Sequence, residues 1–84
     1  MYAVEVVEEA AEQIAALPTE VLPALAGLVD LLELDPSAGD PYHRSKPDGN
    51  MRAYTFGPGG QGLLIALVDE RGRRVLILKV VWLG

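Results

Sequence analysis

The last third of the chain contains two long apolar runs that do not alternate between apolar and polar residues. Residues 63–68 are all apolar, and residues 75–82 are apolar except for Lys79. Strands with one face in water usually alternate, so these two runs are predicted to be central strands of a small sheet. Two short helices can cover one face of that sheet. The other face is either closed by its own curvature and loops or left for a partner.

The rest of the chain supplies the other elements of an α+β domain. Alternation over residues 2–6 predicts an opening strand, and helical spacing predicts helices over residues 8–17 and 19–34, separated by Pro18. Turn formers make residues 35–50 a long loop before a strand at 51–56. Short connections join the last three strands as hairpins. We expect one domain over residues 1–84, with the order β-α-α-β-β-β and an antiparallel sheet packed against a helical hairpin.

Charge is divided between the two halves of the chain. Residues 1–43 carry nine carboxylates and no Lys or Arg (0 − 9 = −9), whereas residues 44–84 carry seven cations and three carboxylates (7 − 3 = +4), which gives the net charge of −5. Such asymmetry indicates a polyanion or a charged protein as partner of the second half. The chain has no cysteine, no signal-like start and no run long enough to cross a membrane, so we expect a cytoplasmic protein without disulfides.

The glycine-rich loop and the lone histidine give little evidence for a ligand-binding or catalytic site. Gly57, Gly59 and Gly62 have the spacing of a dinucleotide fingerprint, but a strand follows them instead of a helix, which favours a hairpin loop. His43 is the only histidine and has no cysteine near it, so a surface or packing role is expected. We expect neither a metal nor another cofactor.

The basic residues are more informative. Alternation places Arg52 beside Tyr54 on one strand face, an arrangement that can hold a phosphate and stack on a base. If Lys79 lies on the same face, it adds a second positive charge to this predicted site. The remaining cations lie in the long loop and the last hairpin: Arg44, Lys46, Arg71, Arg73 and Arg74. The alternative is that all of these are surface charges that balance the acidic helices.

Several segments together resemble the RelE/ParE superfamily of toxins from bacterial type II toxin–antitoxin systems. They are the strand at 2–6 with its acidic helix, the helix end at 14–18, the loop from 39 through Lys46 to Arg52, and the closing run at 75–82. The resemblance covers nearly the whole chain. It implies a RelE-like α+β fold with a curved sheet and a cognate antitoxin that wraps it. It also implies either metal-free cleavage of mRNA on the ribosome or poisoning of DNA gyrase.

Under this resemblance, Arg52, Tyr54 and Lys79 are the expected catalytic residues, and Arg44, Lys46, Arg73 and Arg74 are expected to grip RNA. The chain also departs from the family: Leu63 or Leu64 stands where an Arg is expected, Trp82 or Leu83 stands at a basic position, and Gly84 ends the chain before a terminal Tyr. Missing cations and proton-transfer groups predict a weak endoribonuclease. The alternative is a non-catalytic protein of this fold, gyrase-directed or degenerate, that acts by binding its antitoxin or target.

Overall fold

The structure is a computed structural model and describes residues 1–41 and 50–84. Strand β1 spans Ala3–Val6, helix α1 spans Glu8–Ala15, and helix α2 spans Leu22–Leu34. The remaining strands are β2 (Asp40–Pro41), β3 (Met51–Phe56), β4 (Gly62–Asp69) and β5 (Arg74–Trp82). Short 3-10 turns cover Thr19–Val21 and Pro36–Ala38. The predicted α+β class and order of elements are confirmed, with β2 as an addition inside the predicted loop.

The described strands form one five-stranded sheet in the order β1-β5-β4-β3-β2. Strands β2 to β5 pair antiparallel, as predicted, but β1 pairs parallel with β5, from Ala3 opposite Arg74 to Val6 opposite Ile77. The sheet is therefore mixed and not antiparallel throughout. A parallel pair requires a long crossover connection, and here both helices and three strands lie between the two partners in sequence.

Both helices bury one stripe against the sheet. In α1, Glu8 and Glu9 lie in the first turn, where the helix dipole favours carboxylates. Helix α2 begins at Leu22 and has Pro23 in its first turn, a position at which the missing N–H has no intrahelical partner. Ala10 from α1 and, from α2, Leu25, Leu28 and Leu32 pack against one face of the sheet.

The core lies between this helical layer and the sheet. Leu32, Leu64, Val75 and Ile77 have almost no exposed surface and form its centre. Pairing of β4 with β5 shifts between Ile65 and Ala66, so that Leu78 is an extra residue in β5. No single described helix is long and apolar enough to cross a bilayer; α1 and residues 19–34 reach that length only as a pair bent by 112°.

Candidate functional site: the open face of the sheet

No helix or strand of residues 1–41 and 50–84 packs on the side of the sheet away from the helices. Side chains alternate between the two sides of a strand, and those that do not join the helix-facing core form this second surface, which we call the open face. Its members are Met51, Ala53, Thr55, Leu63, Ile65, Leu67, Leu76, Lys79 and Val81, with Glu5, Asp69 and Arg74 at one end.

The centre of the open face is apolar around one cation. Ile65 lies opposite both Ala53 and Lys79 in the register and is 7% exposed, although neither α1 nor α2 covers it. Leu67, two residues further along β4, is 37% exposed. Lys79 is exposed, so its ammonium stands among apolar neighbours on a surface accessible to a partner.

One end of the open face carries both signs of charge. A guanidinium nitrogen of Arg74 lies 3.6 Å from a carboxylate oxygen of Glu5, and Asp69 is opposite Arg74 across β4 and β5. These side chains, with Leu67 and Leu76, line a shallow depression of about 190 Å³. Because both partners of the ion pair are more than half exposed, the pair adds little stability and remains available to a ligand.

The three residues expected to be catalytic do not meet on one face. Arg52 and Tyr54 share a face, as predicted, but it is the face that the helices cover, because Arg52 lies opposite Ala66 in the helix-side layer. Lys79 lies on the open face. The bulge at Leu78 causes this separation: without the extra residue, the alternation in β5 would place Lys79 on the same face as Arg52.

Tyr54 is a packed residue with its hydroxyl group engaged. It is 5% exposed, and its O–H donates to the backbone carbonyl of Pro36. Burial raises the pKa of Tyr54 to about 12, although the charge of Arg52 acts in the opposite direction. A buried ring has no free face for a base, and a phenol with this pKa stays protonated at neutral pH. The geometry therefore favours an anchoring role for Tyr54.

The arginines of the last hairpin are turned towards the start of the chain. The guanidinium carbon of Arg73 lies 5.9 Å from the centre of the Tyr2 ring, and Arg74 faces Glu5. Arg73 adopts a φ of 51°, in the left-handed region. Arg71 is exposed on the same turn.

Three further residues considered in the sequence lie outside the part of the chain that the structure describes. Arg44 and Lys46, expected to bind RNA, and the lone His43 lie outside the described residues. Within residues 1–41 and 50–84, no group of three or more His, Asp or Glu side chains is placed to hold a metal ion. Two polar residues without a predicted role in a site, Glu5 and Gln13, contact β5. Their sequence patterns carry no signal beyond that of an ordinary exposed helix or strand residue.

Comparison with solved structures identifies the fold. The E. coli RelBE toxin–antitoxin complex contains a chain with a TM-score of 0.75 and 20% identity, and the match covers 100% of this chain and 99% of that one. The RelBE2 toxin–antitoxin complex from Mycobacterium tuberculosis gives a TM-score of 0.73 at 23% identity, with 96% of each chain covered. The isolated E. coli RelE toxin gives 0.76 at 17% identity, with 100% and 86% covered. No protein-family model and no curated protein matches by sequence.

Proposed function

We propose that this chain is the toxin of a RelBE-like toxin–antitoxin pair and that it acts by binding other proteins, its antitoxin among them. Support comes first from the fold, which matches chains in RelBE complexes over nearly their full length. At 17–23% identity this likeness concerns the fold alone, so the mode of action is argued from the surface of this chain.

The observation that carries the proposal is the open face. A small protein rarely leaves a contiguous apolar surface in water unless a partner covers it. Here Leu63, Leu67 and Val81 retain exposed surface around Ile65, and Lys79 adds one charge that a partner carboxylate can pair with. Apolar surface with a single central charge fits a protein partner better than it fits the sugar-phosphate backbone of RNA, which is bound largely through many Lys and Arg contacts.

The arrangement of the predicted catalytic residues favours the same conclusion. Metal-free cleavage of a phosphodiester needs a base for the 2′-hydroxyl, an acid for the leaving oxygen and cations around the phosphorane, all within reach of one phosphate. Arg52 and Lys79 lie on opposite faces of the sheet, and the hydroxyl of Tyr54 is engaged with Pro36. The described residues therefore do not bring these three groups to one phosphate.

A second candidate function is metal-independent cleavage of mRNA on the ribosome. It is supported by the exposed ammonium of Lys79 on the open face, with the cations Arg44 and Lys46 of the long loop as additional RNA contacts. In this case Lys79 would stabilise charge on the phosphate, and the proton-transfer groups would come from residues other than Tyr54.

Induced expression in a bacterium that lacks the partner separates these functions. The variants are Leu67→Asp on the open face, Lys79→Ala, Arg52→Ala, and Arg71→Ala as a control that removes an exposed cation elsewhere. We expect the wild type to arrest growth without new cuts in translated mRNA, Leu67→Asp to lose the arrest, and the Arg52 and Arg71 variants to keep it. Circular dichroism checks that each variant folds.

Three outcomes would change the proposal. Cuts in translated mRNA that vanish in Lys79→Ala would establish the endoribonuclease. Co-purification of DNA gyrase with the wild type but not with Leu67→Asp would identify the bound target as gyrase. Normal growth during expression of a folded wild-type chain would overturn the assignment as a toxin.

A further inference from the structure

The outer edge of β5 is only half covered by β1. Pairing with β1 ends at Ile77, whose carbonyl accepts a hydrogen bond of 3.1 Å from the N–H of Val7. There the chain turns away into α1, while β5 continues from Leu78 to Trp82. This second half of the edge has no strand beside it in the described residues.

On residues 78–82 of β5, alternate backbone N–H and C=O groups point outwards, towards the side of the strand that has no neighbouring strand among the described residues. Val81 lies opposite Leu63, and the N–H of Leu83 donates to the carbonyl of Gln61 at 3.0 Å, so every second residue, starting from Val81, pairs with β4. Alternation then turns the N–H and C=O groups of Val80 and Trp82 to the outside. The Val80 N–H donates to the side-chain oxygen of Gln13 at 2.7 Å. This amide oxygen occupies the place that a carbonyl of an added strand would take.

A groove runs beside the edge and has a mostly apolar wall. Its volume is about 430 Å³, and the residues that line it come from the end of α1 and of β5: Gln13, Ala16, Leu17, Val80, Val81 and Trp82. The Trp82 ring also stacks on Phe56 with 6.1 Å between ring centres, so the wall it forms is fixed. An extended segment laid along the edge would place alternate side chains into this groove.

The helix that borders the groove is acidic. The exposed residues Glu8, Glu9 and Glu12 give α1 three carboxylates, and no Lys or Arg lies in the helix. Helical spacing places Glu9 one turn before Gln13 and Glu12 one turn before Ala16, on the side of α1 that borders the groove. A segment that carries Lys or Arg would therefore find opposite charge along this rim.

We propose that the free half of the β5 edge binds an extended, basic segment of a partner protein as an added strand. Unpaired backbone groups supply the hydrogen bonds, the groove receives apolar side chains, and the carboxylates of α1 pair with the basic ones. On binding, the Gln13 side chain gives up the Val80 N–H to a carbonyl of the segment. The inference rests on the geometry of this edge and stands whether or not the chain is a toxin.

Synthetic peptides test the inference with the purified full chain. The probe is a peptide of about eight residues, a common strand length, in which one alternate set of residues consists of Val and Lys and the other set consists of Thr, so that Val and Lys share the face towards the groove and α1. Two derivatives carry N-methyl groups on either the Val and Lys nitrogens or the Thr nitrogens. In a strand these two sets point to opposite edges, so each derivative blocks one edge. Trp82 is the only tryptophan, and its fluorescence reports binding in the groove. Hydrogen exchange of the Val80 amide reports pairing.

We expect the parent peptide to bind and to slow exchange at Val80, and we expect only one methylated derivative to retain binding, with the other weaker by about tenfold or more. Equal affinities of the two derivatives would overturn the added strand, since charge attraction alone does not distinguish them. Failure of the parent peptide to bind at up to about 1 mM would overturn it as well.

Variants of the chain test how the Gln13 side chain and the carboxylates of α1 contribute to peptide binding. Gln13→Ala should speed Val80 exchange in the free protein and tighten peptide binding several-fold, because the competitor for that N–H is gone. Glu9→Gln with Glu12→Gln should weaken binding by about threefold or more and reduce its salt dependence. Glu70→Gln, at the opposite hairpin, is the matched control and should change neither. Weaker binding by the Gln13 variant, or equal effects of the Glu variants and the control, would contradict the proposed contacts.

Discussion

Replacing Tyr54 with Phe tests whether this residue is an anchor or a catalytic group. The Tyr54 hydroxyl fixes the segment after α2 to the sheet, since it donates to the Pro36 carbonyl 18 residues earlier in the chain. Asp35 caps the short turn by accepting from the Ser37 N–H at 3.1 Å, and Asp40 then pairs with Ala53 of β3. Residues 35–41 are therefore held to the sheet by the pairing of β2 with β3 and by this one long-range side-chain hydrogen bond.

The expected cost follows from the burial of both partners. A hydrogen bond contributes about 0.5–1.5 kcal/mol net, and a buried acceptor left without a donor costs about 1–3 kcal/mol. Pro36 is buried and Tyr54 is 5% exposed, so little water can replace the lost donor. We expect Tyr54→Phe to lower the free energy of unfolding by about 1–2 kcal/mol. In a domain of this size that corresponds to a Tm lowered by roughly 4–16 °C.

Urea and thermal unfolding followed by circular dichroism measure this change. Tyr2→Phe is the matched control, because the Tyr2 hydroxyl makes no hydrogen bond to the described residues and its ring contact with Arg73 is kept. The control should stay within about 0.5 kcal/mol of the wild type. Unchanged stability of Tyr54→Phe combined with a complete loss of growth arrest would refute the anchoring role and restore the expectation of proton transfer.

Four further outcomes follow from the described contacts. Gly39→Ala places a Cβ against the Tyr54 ring and should cost about 1–3 kcal/mol in the same unfolding assays. Gly27→Ala, in α2 with nothing near its Cβ position, should stabilise the chain by about 0.5–1 kcal/mol. Arg74→Ala should change stability by less than about 1 kcal/mol, because its pair with Glu5 is exposed on both sides. The pKa of Tyr54 is raised from 10.0 to about 12, so the hydroxyl group stabilises the folded chain fully below pH 10, and this stabilisation is lost as the pH rises to 12. The Tm values of the wild type and of Tyr54→Phe, measured over a pH series, should therefore converge between pH 10 and pH 12.

Periodicity was sufficient for the two helices and for every strand except the two-residue β2, because each of these signals lies within one helix or one strand. The strands at 51–56 and 75–82, the end of the first helix region before Pro18, and the α+β class all agree with the structure. Periodicity could not predict which strand pairs with β1 or in which direction. A strand of four residues with the burial pattern of β1 carries no mark of its neighbour or its direction, and β5 lies about 70 residues away in the chain.

The face of Lys79 shows why site residues are harder to predict than elements. Alternation along β5, counted from Ile77, assigns Lys79 to the helix side, and one extra residue at Leu78 reverses that assignment. Nothing in the run of Val, Leu and Ile residues marks the bulge. The contacts of Tyr54 with Pro36 and of Gln13 with Val80 join residues 18 and 67 positions apart, so they too depend on the tertiary fold.

The division of charge along the chain takes a different meaning once the fold is known. Part of it is neutralised within the described residues, because β1 brings Glu5 to Arg74 in the last hairpin. Around the second half of β5, Lys79 lies on the open face and the carboxylates of α1 lie along the outer edge. A polyanion that approached from the edge would be repelled by α1, so RNA would have to reach this strand from the open face. A protein that carries an apolar, partly acidic segment for the open face and a basic extended segment for the edge can use both surfaces at once. This charge arrangement favours a protein partner over a nucleic acid.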